Sequence, residues 1–129
     1  MRLEAQKKAA IESPSDAKVR RVIMSLRSYG PSSYASLTDD NGSYIQVGGG
    51  GVTCLVEKFD AVQGTRHRAY HGTPNAAFPD GTILVFSAGK IPMKSDEWFR
   101  SDQVAEIFVS YLNRLPEPEY VMWRSAPGF

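Results

Sequence analysis

The sequence predicts an α+β domain: an antiparallel meander sheet packed with two main helices, one N-terminal and one near the C-terminus, and a short last strand. Three observations lead there. Asp39-Asp40-Asn41-Gly42 separates two runs of strand formers, and Asn-Gly in that position is the strongest short-range hairpin signal. A third strand-like run follows closely at 52–59, and successive strands joined by short turns form a meander. Two other stretches repeat apolar residues at helical spacing.

Taken in order, residues 1–12 read as a helical or frayed arm, because Ala, Gln, Lys and Glu favour helix and little there is apolar. A helix is expected from Ser13, with Ser13 as cap, Pro14 in the first turn and Asp16 completing a Ser-x-x-Asp arrangement. Val19, Val22, Ile23 and Leu26 form its apolar face, and Gly30-Pro31 is the stop signal. Strands are expected at 34–38 and 43–47. The four glycines at 48–51 read as a flexible hairpin turn leading into the strand at 52–59. Residues 66–70 suggest a short strand and 71–80 a loop. The apolar run at 82–87 suggests a central strand buried on both faces. Residues 88–100 read as a connection with one helical turn at 95–99. The second helix is expected from a capping Ser101, with Val104, Ile107, Phe108, Tyr111, Leu112 and Leu115 on one stripe and Pro116 and Pro118 beyond it. A last strand at 120–124 should put Val121 and Trp123 on one face and Met122 on the other; residues 126–129 read as tail.

The 129 residues fit one domain, 1–129, with enough chain for a core of its own. Fifteen Lys and Arg against fourteen Asp and Glu leave a net charge of +1, which argues against a dedicated nucleic-acid binder. Charge is uneven, however: residues 1–30 carry a net +4 and the remainder a net −3. An acidic body suits a basic partner. Cys54 is the lone cysteine and sits among apolar neighbours, so a buried structural thiol in a reducing compartment is expected. No apolar run approaches the ~20 residues of a membrane-spanning helix. The N-terminus lacks the apolar core of a secretory signal, and the expectation is a cytoplasmic protein.

No catalytic signature emerges. The glycines at 48–51 precede a strand and are followed by no lysine, so neither a phosphate loop nor a dinucleotide fingerprint fits. His67 and His71 stand four apart but outside a helix, and no metal site is expected from them. Cys54 lacks the surroundings of a nucleophilic cysteine, and no Gly-x-Ser-x-Gly occurs. The carboxylate pairs Asp39-Asp40 and Asp96-Glu97 read as solvated turn residues. The expectation is a protein that is not an enzyme and uses no cofactor or metal.

Three C-terminal segments carry a family resemblance: Ile91-Pro-Met-Lys-Ser-Asp-Glu-Trp98, the helix from Ser101 to Leu112, and Pro116-Glu-Pro-Glu-Tyr-Val-Met-Trp123. Together they resemble small immunity proteins of bacterial polymorphic-toxin systems, a group that includes proteins neutralising secreted DNA-deaminase toxins. In that group a helix ending in a Phe-x-x-Tyr/Phe-Leu pattern leads through a Pro-containing turn to a short strand ending in Trp. Phe108, Tyr111, Leu112, Pro116, Val121 and Trp123 hold the matching places, and Val56-Glu57-Lys58-Phe59 matches a strand of the group's meander. The layout covers most of the chain and the motifs its C-terminal third. Residues 61–80 and the four glycines have no counterpart there.

The resemblance implies an inhibitor that binds a cognate toxin domain and blocks its active site or substrate groove, without touching nucleic acid or membrane itself. No toxin-facing residue carries over by motif. Residue type and turn position nominate Asp39, Asp40, Glu57, Asp60 and Asp80 as acids that stand in for an anionic substrate, with Tyr34 and Tyr44 as anchors. Two other readings stay open. One is a small ligand-binding domain or enzyme in which Arg66, His67, Arg68 and His71 of a 61–80 loop hold an anion. The other is an adaptor or chaperone that uses the basic N-terminal helix.

Overall fold

In the computed structural model, which describes all residues 1–129, the hairpin built on Asn41-Gly42 lies at the centre of the main sheet. The elements in chain order are β1 (Arg2–Ala5), β2 (Ile11–Glu12), α1 (Asp16–Met24), β3 (Tyr34–Thr38), β4 (Tyr44–Gly50), β5 (Thr53–Asp60), β6 (Thr65–Tyr70), β7 (Thr82–Phe86), β8 (Gly89–Met93), α2 (Ser101–Leu112) and β9 (Met122–Ser125). Seven strands form one antiparallel sheet in the order β2-β1-β3-β4-β5-β6-β9, and β7 and β8 form a separate hairpin. The class is α+β, as expected. No helix is long and apolar enough to cross a membrane.

Side-chain alternation divides the sheet into two faces. Leu3, Leu37, Ile45, Val47, Cys54, Val56 and Ala69 point to one of them and pack with Val19, Val22, Ile23, Val104, Ile107 and Phe108 of the two helices. The opposite face carries a smaller cluster of Leu55, Leu84, Phe86, Met93 and Trp98 under the β7–β8 hairpin. Val121 and Trp123 pack against the main core while Met122 is exposed, as their alternation predicts.

Several elements depart from the sequence reading. Residues 1–12 are not a helical arm: β1 pairs along β3 with Leu3 opposite Leu37, and Leu3 is fully buried. Long-range pairing overrides a local helix preference. The first helix starts later than expected. Ser15 is its cap, its Oγ accepting from the Lys18 N–H at 3.1 Å, while Ser13 adopts a left-handed φ of 50°. It also ends earlier, at Met24, well before Gly30-Pro31.

Gly48, Gly49 and Gly50 belong to β4, opposite Leu55, Cys54 and Thr53 of β5, so the turn falls at Gly51-Val52. Close approach explains the glycines: a Cβ on Gly48 would lie 2.6 Å from the Phe86 ring, and one on Gly50 would run into the Leu26 carbonyl. The run at 82–87 is not a doubly buried strand. Leu84 and Phe86 face inward, whereas Ile83 and Val85 are 56% and 55% exposed, because β7 pairs only with β8. Residues 89–93, expected as a connection, supply β8 itself.

Arg100 occupies the N-cap of α2, and Ser101 instead ties the helix start to the β4–β5 turn. Its N–H and its hydroxyl both donate to the Gly51 carbonyl, at 2.7 and 3.1 Å. The helix ends at Leu112, leaving Leu115 outside the stripe and 61% exposed. The C-terminal segment is a packed element: the Phe129 ring meets Phe86 and Tyr34 edge-on, at centroid distances of 5.2 and 6.2 Å.

Candidate partner-binding surface

The β3–β4 and β5–β6 turns fall at the same end of the sheet, where α2 also finishes. That end gathers Asp39, Asp40 and Asp60. In the first turn the Asn41 N–H donates to Asp39 Oδ1 at 3.0 Å and the Ser43 N–H donates to Asn41 Oδ1 at 2.9 Å. In the second, the N–H groups of Val62 and Gln63 donate to Asp60 Oδ1 at 2.9 and 3.1 Å. The Ala61 N–H donates to Ser43 Oγ at 2.9 Å and joins the turns to each other. Asp39 and Asp60 thus each commit Oδ1 to backbone N–H groups of their own turn. They are fixed rather than floppy acids, which lowers the ordering cost of an interface.

Between them lies a cleft of about 490 Å³, lined by Asp39, Asp60, Lys58, His67 and Tyr111 among others. Burial pushes the Tyr111 hydroxyl up to about 12, and the Asp39 charge adds to the shift. Tyr44 stacks on Phe59 beside the turns, with ring centroids 5.3 Å apart. Lys58, which lines the cleft, bonds Glu117 at 3.4 Å and lies 4.1 Å above the Trp123 ring, so this cation is already engaged.

The other nominated residues lie elsewhere. Glu57 is 1% exposed and belongs to the interior, so no partner reaches it in this fold. Its Oε2 accepts from Arg68 Nε at 2.8 Å, and Arg68 also pairs with Glu97 at 3.4 Å. Burial pushes the Glu57 carboxyl up, against the pull of the Arg68 hydrogen bond and charge. Tyr34 sits at the far end of β3, donating its hydroxyl to Gln46 Oε1 at 3.1 Å; burial pushes its phenol up as well. Asp80 accepts the Ser95 N–H at 2.8 Å, and that bond holds its carboxyl below the usual carboxylate range.

The geometry also bears on the chemistry. Cys54 is buried, with Sγ 3.9 Å from the Ser101 hydroxyl, and burial pushes its thiol up to about 12; it is not a nucleophile in this state. Arg66, His67, Arg68 and His71 do not converge. Three of the four lie on β6, whose alternation sends His67 to the helix face and both arginines to the other. Arg66 stacks on Phe59 at 4.6 Å. His71 Nε2 lies 2.8 Å from the Trp98 carbonyl and its Nδ1 3.4 Å from the Thr73 backbone nitrogen, which gives the ring a structural role. No group of three or more His, Cys, Asp or Glu side chains is placed to hold a metal ion.

Sequence reasoning missed Lys58, His67 and Tyr111 as members of the cleft. Only the β5–β6 register and the crossing of α2 bring them there. No family model, curated protein or solved structure matches this chain.

Proposed function

We propose that this protein is an immunity protein, a non-enzymatic inhibitor that binds a cognate secreted bacterial toxin domain and occludes its active site or substrate groove. The observation that carries the reading is the convergence of Asp39, Asp40 and Asp60 on two cross-tied turns at one end of the sheet. A rigid acidic surface of this kind matches the basic groove of an enzyme that handles an anionic substrate, and it needs no chemistry of its own. The resemblance of the C-terminal third to such immunity proteins supports the same reading, as does the absence of a catalytic motif in the sequence. The buried free thiol fits action in the cytoplasm.

Co-expression tests it. The C-terminal domain encoded directly upstream is expressed in a bacterium with and without this protein. Killing by the domain alone and rescue by this protein is the expected result. Killing that persists with well-expressed protein, or a harmless neighbour, counts against the reading.

A further inference from the structure

Between α1 and the N-terminal strand pair lies a second cleft, of about 480 Å³, remote from the acidic turns and with a different character. Its floor is apolar: Ala5, Ala9 and Ile11 are open to it, over the buried Leu3 of β1 and Val22 of the helix. Its rim carries Lys8, Lys18 and Arg21. Lys18 and Arg21 are one turn apart on α1, a spacing that puts both on the same side of the helix. Neither forms an ion pair within the chain, and Lys8 only donates to the Ser25 hydroxyl at 3.2 Å. No acidic side chain lines the cleft. The acids of the strands are turned away by alternation: Glu4 and Glu12 project to the opposite face, where Arg2 pairs with them at 3.1 and 3.4 Å, and Asp16 at the start of α1 accepts from the Asn113 amide at 3.0 Å instead of lining the cleft.

We propose that this cleft is a binding site for a fatty carboxylate, whose alkyl chain lies on the apolar floor and whose headgroup meets the unpaired cations of the rim. The charge arrangement selects that occupant. Three cations without a compensating acid beside apolar surface favour a ligand that is anionic at one end and apolar along the rest. The volume falls within the roughly 300–1,000 Å³ of small-molecule sites. Nothing in the inhibitor reading requires this site, and the acidic surface does not share its residues.

Titration of isotope-labelled protein with decanoate, below its micelle threshold and read by amide chemical shifts, tests the site. Saturable shifts confined to Ala5, Ile11, Val22, Ser25 and their neighbours are expected. The double variant Lys18→Glu/Arg21→Glu, at partly or fully solvent-facing helix positions, should bind about tenfold more weakly with an unchanged melting temperature. Ala9→Trp, at another lining residue, keeps every cation but places an indole in the cleft and should also weaken binding. Decanol should bind less tightly than decanoate. Unsaturable shifts, equal affinity for decanoate and decanol, or unchanged binding by both variants would overturn the proposal. Sedimentation with anionic vesicles without saturable decanoate shifts would overturn it in favour of a membrane-surface contact.

Discussion

Arg68 donates its Nε–H to Glu57 Oε2 at 2.8 Å from directly across the β5–β6 register, with both side chains inside the protein. The pair is the root of a longer chain of charge. Arg68 continues to Glu97, and Arg124 of β9 reaches Glu97 at 3.6 Å and Asp96 at 2.8 Å. These bonds fasten the segment after β8 onto the sheet face that the helices leave open. A network of this kind is costly to break from one side, because the remaining charge stays desolvated.

Arg68→Ala should therefore destabilise the protein by about 3–5 kcal/mol near pH 7. Burial raises the Glu57 carboxyl above its ordinary value of 4.5, so the folded state takes up this proton more readily than the unfolded chain. Stability withheld by ionised Glu57 at neutral pH is thus regained as pH falls through the raised value, and fully so below the ordinary one. Without Arg68 opposing the rise, the recovery should be larger. Urea unfolding of both proteins near pH 7 and near pH 5 measures it. An equal deficit at both would mean that Glu57 is not the group left stranded.

Phe108 is fully buried where α2 meets the sheet. Phe108→Ala should cost about 3–5 kcal/mol through lost burial and the cavity left behind. A melting temperature equal to that of the parent would remove the residue from the core.

The glycines of β4 should respond unequally to alanine. At Gly50 the new methyl meets the Leu26 backbone, which has no rotamer to relieve the clash, whereas at Gly48 it meets the Phe86 ring. Gly50→Ala should lower the melting temperature further than Gly48→Ala. Gly64→Ala, with open space but a φ of +68°, should cost only about 1 kcal/mol. Thermal unfolding of the three variants gives the order directly.

The Cys54 thiol, pushed up to about 12, carries almost no thiolate at neutral pH. Iodoacetamide should leave the native protein unmodified and label it only after denaturation. Stoichiometric native labelling would require an opening of the β5–α2 contact.

Reversal of Asp39 and Asp60 together to lysine should slow association with the proposed toxin partner and weaken its dependence on salt, and should also lower the melting temperature modestly, because both turns lose their side-chain hydrogen bonds. Stopped-flow association at low and high ionic strength reads the first two effects. An unaltered rate would clear these two acids of any role in the encounter.

The hairpin at 39–42 and the stripe of α2 were legible because their signals are local: an Asn-Gly turn and an apolar repeat confined to one helix. The N-terminal strands were not, since nothing in Ala, Lys and Gln announces that Leu3 will pair opposite Leu37. The β7–β8 hairpin hid its exposed Ile83 and Val85 inside an apolar run. The glycines at 48–50 looked like a turn because their reason for being small is a ring and a carbonyl from distant parts of the chain. For the candidate surface, Asp39, Asp40 and Asp60 followed from turn chemistry. Glu57 was misjudged because a mid-strand acid shows no outward sign of its buried arginine.

The order in which the chain is made gives β9 a further significance. It leaves the ribosome after every other strand, yet its Arg124 is what answers Asp96 and its Trp123 closes over the main core. Until those residues emerge, the nascent sheet ends on an open β6 edge and Asp96 has no counter-ion. The fold is thus sealed from its late-synthesised side, and a shortened translation product lacking β9 would expose an unpaired strand edge of the kind that recruits aggregation and quality control.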